Sequence, residues 1–156
     1  MSDHETWMKM CIELAIESAG TGGGPFASLV VRGRQLVATG INGVTSLNDP
    51  TAHAEVQAIR TACKTIGDFR LAGYELYASA EPCPMCMAAS YWSRVDAVYY
   101  AASRHDAAAA GFDDARLYDE IGLVHDERTL PVRRIRGELG AKPFDAWAAN
   151  TSRVPY

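Results

Sequence analysis

Two helix starts constrain this chain more than any other feature. His53-Ala-Glu55 stands at the beginning of one predicted helix and Pro82-Cys83-Pro-Met-Cys86 at the beginning of another. Two cysteines three positions apart at a helical start can aim both sulfurs at one ion, and a histidine at a neighbouring helix end supplies a third ligand. That set suits zinc. Three protein ligands leave the fourth tetrahedral place to water, which is the arrangement of a catalytic site rather than a structural one. The positive ends of the two helices would further lower the pKa values of the thiols. Glu55, two residues beyond His53, can face the same cavity from the first helical turn without joining the metal shell, where a carboxylate can take a proton from the acidified water and redeliver it.

Two plainer uses of these residues compete with that one. A Cys-x-x-Cys pair can serve redox chemistry, but such a pair requires no upstream His-x-Glu and usually precedes a longer helix without prolines around it. A closed structural zinc site would need a fourth ligand, for which His4, His105, His125, Cys11 and Cys63 are the candidates. Cys11, on the apolar side of the first helix, and Cys63, near the end of the second, read instead as small buried hydrophobes.

The remainder of the chain reads as one α/β domain over residues 1–156. At 48% hydrophobic and 22% charged residues it has the balance of a compact domain, long enough to bury a core without a metal or disulfide to hold it. Lys and Arg total 15 against 19 Asp and Glu, a net charge of −4 that draws the molecule neither to nucleic acid nor to an anionic membrane. The local run Arg133, Arg134 and Arg136 reads as a solvated strand face. The polar, acidic amino terminus lacks the pattern of a signal peptide, so a cytoplasmic setting is expected. Apolar spacing predicts a helix over Ser2–Ala19, with Ser2 and Glu5 as a capping box, and a hairpin of strands Phe26–Val31 and Leu36–Ile41. After a polar loop, Asn42–Thr51, it predicts a helix over Ala52–Ile66, a strand over Tyr74–Ala80, a helix over Cys83–Ser93 and a strand over Val95–Ala101. That alternation implies parallel neighbours in the later part of the sheet. Weaker patterns follow: a helix-prone Ala107–Ala110, a break at Gly111-Phe-Asp-Asp114, a strand over Leu130–Ile135 and a helix over Phe144–Asn150.

His-x-Glu followed by Pro-Cys-x-x-Cys is the signature of zinc deaminases, and over nearly its whole length the chain resembles the cytidine deaminase-like superfamily. His53-Ala-Glu-Val-Gln-Ala-Ile-Arg60 and Glu81-Pro-Cys-Pro-Met-Cys86 are motifs shared with nucleoside and tRNA deaminases. Tyr91-Trp92-Ser-Arg94, Tyr100-Ala-Ala102, Ala109-Ala-Gly-Phe-Asp-Asp114, Phe144-Asp-Ala-Trp147 and the terminal Tyr156 look more specifically like the bacterial guanine deaminases. The resemblance implies a three-layer α/β/α fold around a five-stranded mixed sheet, and a homodimer that exchanges carboxy-terminal segments. It implies hydrolysis of guanine to xanthine with release of ammonia, with one zinc ion per chain held by His53, Cys83 and Cys86 and with Glu55 carrying the proton.

The resemblance also implies a purine pocket that includes Phe26, Asn42, Ala54, Trp92, Asp114 and Tyr156. Asn42 would bond the imidazole or carbonyl edge, Phe26 and Trp92 would line the cavity, and Tyr156 would close it, from the partner chain if tails are exchanged. Asp114 would accept the N–H groups beside the attacked carbon, where an apolar slot alone discriminates poorly. Each residue has a plainer reading beside it. Asn42-Gly43 is a turn dipeptide, Phe26 and Trp92 suit a core, Asp113-Asp114 suits a helix cap, and Glu81 suits a cap or a support for the ligands. Because zinc and glutamate do not encode the base, another nucleobase, a nucleoside or tRNA is the rival substrate, and a scaffold held by structural zinc is the non-enzyme rival.

Overall fold

The computed structural model describes residues 3–156. In chain order the elements are α1 (Asp3–Gly20), β1 (Ala27–Arg32), β2 (Gln35–Ile41), α2 (Val44–Leu47), α3 (Ala54–Ile66), β3 (Glu75–Ala80), α4 (Pro84–Ser93), β4 (Ala97–Ala102), α5 (Arg104–Ala109), α6 (Asp114–Gly122) and α7 (Lys142–Ala149). They fall into two units, Met1–Asp119 and Glu120–Tyr156.

In the first unit the strands form one mixed sheet in the order β2-β1-β3-β4. β1 pairs antiparallel with both β2 and β3, while β3 and β4 run parallel, joined through α4. Side chains alternate across a strand, so each of the two central strands feeds two cores. Leu29 and Val31 of β1 and Tyr77 of β3 pack with Cys11 and Ala15 of α1 on one face. Val30 and Leu76 point the other way, against Ala58, Ile59 and Ala62 of α3. Burial on both faces is why these strands read as continuous apolar runs. With α1 on one side and α3 and α4 on the other, the unit is a three-layer α/β/α arrangement.

One contact sets the height of α3 over the sheet. A Cβ at Gly40 of β2 would stand 2.1 Å from the Ala54 carbonyl oxygen and 2.5 Å from the Ala58 nitrogen, so helix backbone rests directly on strand backbone there. His53 and Glu55, at the start of that helix, are placed by this approach.

In the second unit, Arg128 donates to the carbonyls of Leu123 and Ile121, and Arg153 to those of Ala148 and Asn150. No residue of 120–156 is buried. No helix of the described residues is long and apolar enough to cross a membrane.

The expected elements form within a few residues of their predicted bounds, with three differences. The sheet of the described residues has four strands, not five. The expected strand over Leu130–Ile135 is irregular: Pro131 removes a ladder donor, and Leu130 and Ile135 lie exposed beside a run of arginines. The loop expected over Asn42–Thr51 contains the short helix α2. The Ser2–Glu5 capping box falls on Ser2, outside the described residues.

Gly40→Ala is expected to cost about 1–3 kcal/mol or more through overpacking, lowering the melting temperature by several degrees. Gly20→Ala, where nothing lies within 4 Å of the added carbon, serves as the control and is expected to leave the melting temperature nearly unchanged.

Candidate active site and metal centre

The two helix starts meet. His53 is the residue before α3 and Cys83 the residue before α4; both have extended backbone, and neither side chain folds back to cap its own helix. A residue in that position usually spends its side chain on the first exposed N–H groups; here both side chains point across to each other instead. Pro84 opens α4, where its missing N–H costs nothing, and Cys86 follows in the first turn.

His53 Nδ1 lies 3.6 Å from Cys83 Sγ and 3.5 Å from Cys86 Sγ, and the two sulfurs are 3.6 Å apart. For zinc with bonds of 2.3 Å to sulfur and 2.0–2.1 Å to nitrogen, tetrahedral edges are about 3.8 Å between sulfurs and about 3.6 Å between sulfur and nitrogen. The three atoms therefore form one face of a tetrahedron of the right size, and a single Zn2+ per chain fits them. They are the one group of three or more potential ligands among the described residues that can hold a metal ion. The hydrogen bond between the sulfurs holds the Cys83 thiol below its ordinary value and pushes Cys86 up. The other two cysteines lie elsewhere. Cys11 donates to the Ala27 carbonyl inside the α1 core, and Cys63 packs against the core under α3.

Beside this triad opens a cavity of about 340 Å3, lined by His53, Ala54, Glu55, Cys83, Phe26, Asn42, Phe112, Asp114 and the glycines of the Gly22-Gly-Gly24 loop, among others. That volume belongs to a small-molecule site. Glu55, in the first turn of α3, is only 8% exposed. Burial, first, and then the charge of Cys83 raise its proton affinity, as suits a group that must both take and give a proton. Asp114, the first residue of α6, is likewise held above the ordinary carboxylate value by burial and by the Cys83 charge.

The hairpin end supplies the opposite wall. The Asn42 N–H donates to the Phe26 carbonyl, extending the β1–β2 ladder by one bond and bringing both side chains to the cavity. Asn42 Oδ1 accepts from the Val44 N–H at 3.2 Å, which orients its amide and leaves the NH2 group to donate. The turn role and the pocket role of Asn42 thus coexist. Phe26 meets Phe112 edge to face at 4.7 Å.

Of the residues singled out in the sequence, His53, Ala54, Glu55, Cys83, Phe26, Asn42 and Asp114 share this lining, and Cys86 completes the triad. Trp92 stands outside the lining: it is 62% exposed on α4, on the side away from the buried Cys86, Ser90 and Ser93. Tyr156 lies in the second unit, exposed, with its ring edge-on to Trp147. Phe112 is the lining aromatic that sequence reasoning passed over, although the Gly111-Phe-Asp-Asp114 motif that signalled Asp114 contains it. The Gly22-Gly-Gly24 loop enters the cavity because Ser18 near the end of α1 ties it down, donating to the Gly24 carbonyl at 2.8 Å.

Comparison with known proteins agrees with this geometry. The family model described as the cytidine and deoxycytidylate deaminase zinc-binding region matches residues 1–102. The chain is 47% identical over 155 residues to a guanine deaminase of Bacillus subtilis (strain 168), covering 99% of each chain. The X-ray structure of guanine deaminase from Bacillus subtilis superposes with a TM-score of 0.95 at 47% identity, over 100% of this chain and 99% of that one. A tRNA-specific adenosine deaminase of Buchnera aphidicola subsp. Schizaphis graminum is 37% identical over 100 residues, which is 64% of this chain and 66% of that protein.

Metal analysis of the purified protein is expected to find one zinc per chain. His53→Ala and Cys86→Ser are each expected to weaken zinc retention at least tenfold, because two remaining ligands no longer enclose the ion. Equilibrium dialysis against a chelator measures the loss.

Proposed function

Because the chain belongs to the cytidine and deoxycytidylate deaminase zinc-binding family, we propose that it carries out the reaction of its full-length relative: guanine and water give xanthine and ammonia. The observation that carries this reading is a further carboxylate, Asp114, in the same cavity as the metal-binding triad and Glu55. The metal and Glu55 serve any amino-substituted base; Asp114 distinguishes one.

Zinc, when bound to His53, Cys83 and Cys86, lowers the pKa of water toward about 7. The remaining work belongs to the chain's own side chains. Glu55 takes a proton from the attacking water and passes it to the departing nitrogen, and its burial keeps bulk solvent from intercepting that proton. Asp114 accepts the N–H groups on the guanine edge beside the attacked carbon. Asn42 donates through its NH2 group to an acceptor at the imidazole or carbonyl edge. Phe26 and Phe112 offer the ring apolar surface, and Ala54, without a bulky side chain, leaves room beside Glu55 for the base. A pocket built to bond a substrate N–H rejects analogues that lack it, because its own polar groups are then left unpaired.

Similarity to the guanine deaminase spans the whole chain, whereas similarity to the tRNA-specific enzyme covers about two thirds of it. Asp114 lies beyond residues 1–102, outside the shared zinc-binding region. This supports guanine over a tRNA adenosine. The reading extends to a homodimer with exchanged carboxy-terminal segments. It is supported by the 120–156 unit, which carries Leu130, Ile135, Phe144 and Val154 largely exposed and buries none of its own residues, and by the position of β4 as an edge strand of the sheet. Thiolate ligands require a reducing compartment, which supports a cytoplasmic setting.

Incubating the protein separately with guanine, guanosine, adenine and cytosine and assaying ammonia tests the assignment; release from guanine alone is expected, and preference for another base overturns it. Glu55→Gln is expected to retain zinc and to lose turnover by about 10²–10⁴-fold. Asp114→Asn is expected to lower kcat/KM for guanine with metal content unchanged. Sedimentation at several concentrations reports the dimer.

A further inference from the structure

Behind the cysteine loop, four residues close a ring of contacts, of which Glu81 alone also lines the cavity. Glu81, immediately before Pro82 and Cys83, accepts at Oε1 from Arg104 Nε at 3.0 Å and Nη2 at 2.5 Å, and at Oε2 from the Arg104 backbone N–H at 2.9 Å. The Arg104 guanidinium lies over the ring of Tyr118, 3.5 Å from its centre. The Tyr118 hydroxyl donates at 2.7 Å to the carbonyl of buried Pro82, one residue from Cys83. The Glu81 and Arg104 side chains are 12% and 30% exposed, so solvent screens the pair less than it would a surface ion pair.

Tyr118 and Asp114 are four residues apart on α6, on one helical face. Between Arg104's helix and Asp114 the chain turns through Gly111, whose φ of 94° only glycine adopts readily. Such a turn does not by itself fix where the next helix begins. The ring of contacts does, because it ties the start of α5 and the middle of α6 to the same two residues that precede Cys83.

We propose that Arg104 and Tyr118 are positioning residues for Asp114: by bracing α6 against Glu81 and Pro82 they set the reach from Cys83 to Asp114, and so decide where that carboxylate meets the base. The proposal deepens the reading of Asp114 as the substrate contact and rests on it. Tyr118→Phe keeps the ring under Arg104 and removes only the bond to Pro82. Arg104→Lys keeps the charge and removes the planar face and the fork.

The test is a double-mutant cycle on zinc-loaded, full-length protein, measuring kcat/KM for guanine, zinc content and melting temperature for the parent, Tyr118→Phe, Asp114→Asn and the double variant. Tyr118→Phe is expected to lower kcat/KM about tenfold at unchanged zinc content, and the double variant to fall within about twofold of Asp114→Asn alone, because groups acting through one contact are not additive. Arg104→Lys is expected to follow Tyr118→Phe. Equal losses from Tyr118→Phe in both backgrounds, parental activity of Tyr118→Phe beside an impaired Asp114→Asn, or loss of zinc in step with activity each overturn the positioning role while leaving Asp114 as the contact. Parental activity of Asp114→Asn removes the contact itself, and the positioning role with it.

Discussion

The structure depends on two helix amino termini that face each other across a gap the size of one ion. Each termination would ordinarily consume a side chain as a cap, and each here surrenders it, so the first N–H groups of α3 and α4 stay directed at the place where negative charge gathers. That arrangement is costly to hold without a frame. The frame is the sheet: Gly40 lets α3 settle on β2, and the parallel crossover from β3 through α4 to β4 delivers Cys83 at the end of a strand. Ligands at strand ends and helix starts are positioned by the most rigid parts of the unit, which is what chemistry at a fixed point requires.

The rest of the cavity comes from less regular backbone. Phe26 and Asn42 sit where the β1–β2 ladder runs out, the glycine loop crosses above them, and Phe112 and Asp114 come from the turn into α6. The metal ligands and Asp114 lie at or beside helix starts, whereas Phe26, Asn42 and Phe112 lie on connecting segments, where proteins tolerate change most readily. Phe112 shows how the two halves join. It closes against Phe26 edge to face, so the wall built by the hairpin and the wall built by the turn before α6 meet through one aromatic contact.

The metal centre was legible in the sequence because its signal is local. Two motifs, each at a helix start, specify ligand type, spacing and direction together, and the tertiary structure had only to bring them together. The central strands and the helices on them were legible because burial on both faces leaves unbroken apolar runs. Trp92 and Phe112 show where such reading stops. Trp92 follows Cys86 by six residues, which turns it well around α4 from the ligand, so its place in a shared motif did not put it in the cavity. Phe112 lies in an irregular turn with no period to read, and only the path of the chain past Phe26 gives it a role. The Leu130–Ile135 segment has strand-like residues, but Pro131 and the arginines withhold the pairing that would make it one.

Charge inside the cavity narrows the substrate further. Three carboxyl groups line the cavity: Glu81 is paired with Arg104, while burial raises the proton affinity of Glu55 and of Asp114. No lysine or arginine lines the cavity to answer a phosphate. A phosphate would therefore enter with no cation to pair with and would bear the desolvation cost of a buried, unpaired charge. A neutral base rich in N–H donors meets the opposite situation, because each donor it presents relieves an acceptor that the fold has already taken out of water. The burial that raises the proton affinity of Glu55 therefore also favours a free, donor-rich base over its phosphorylated forms.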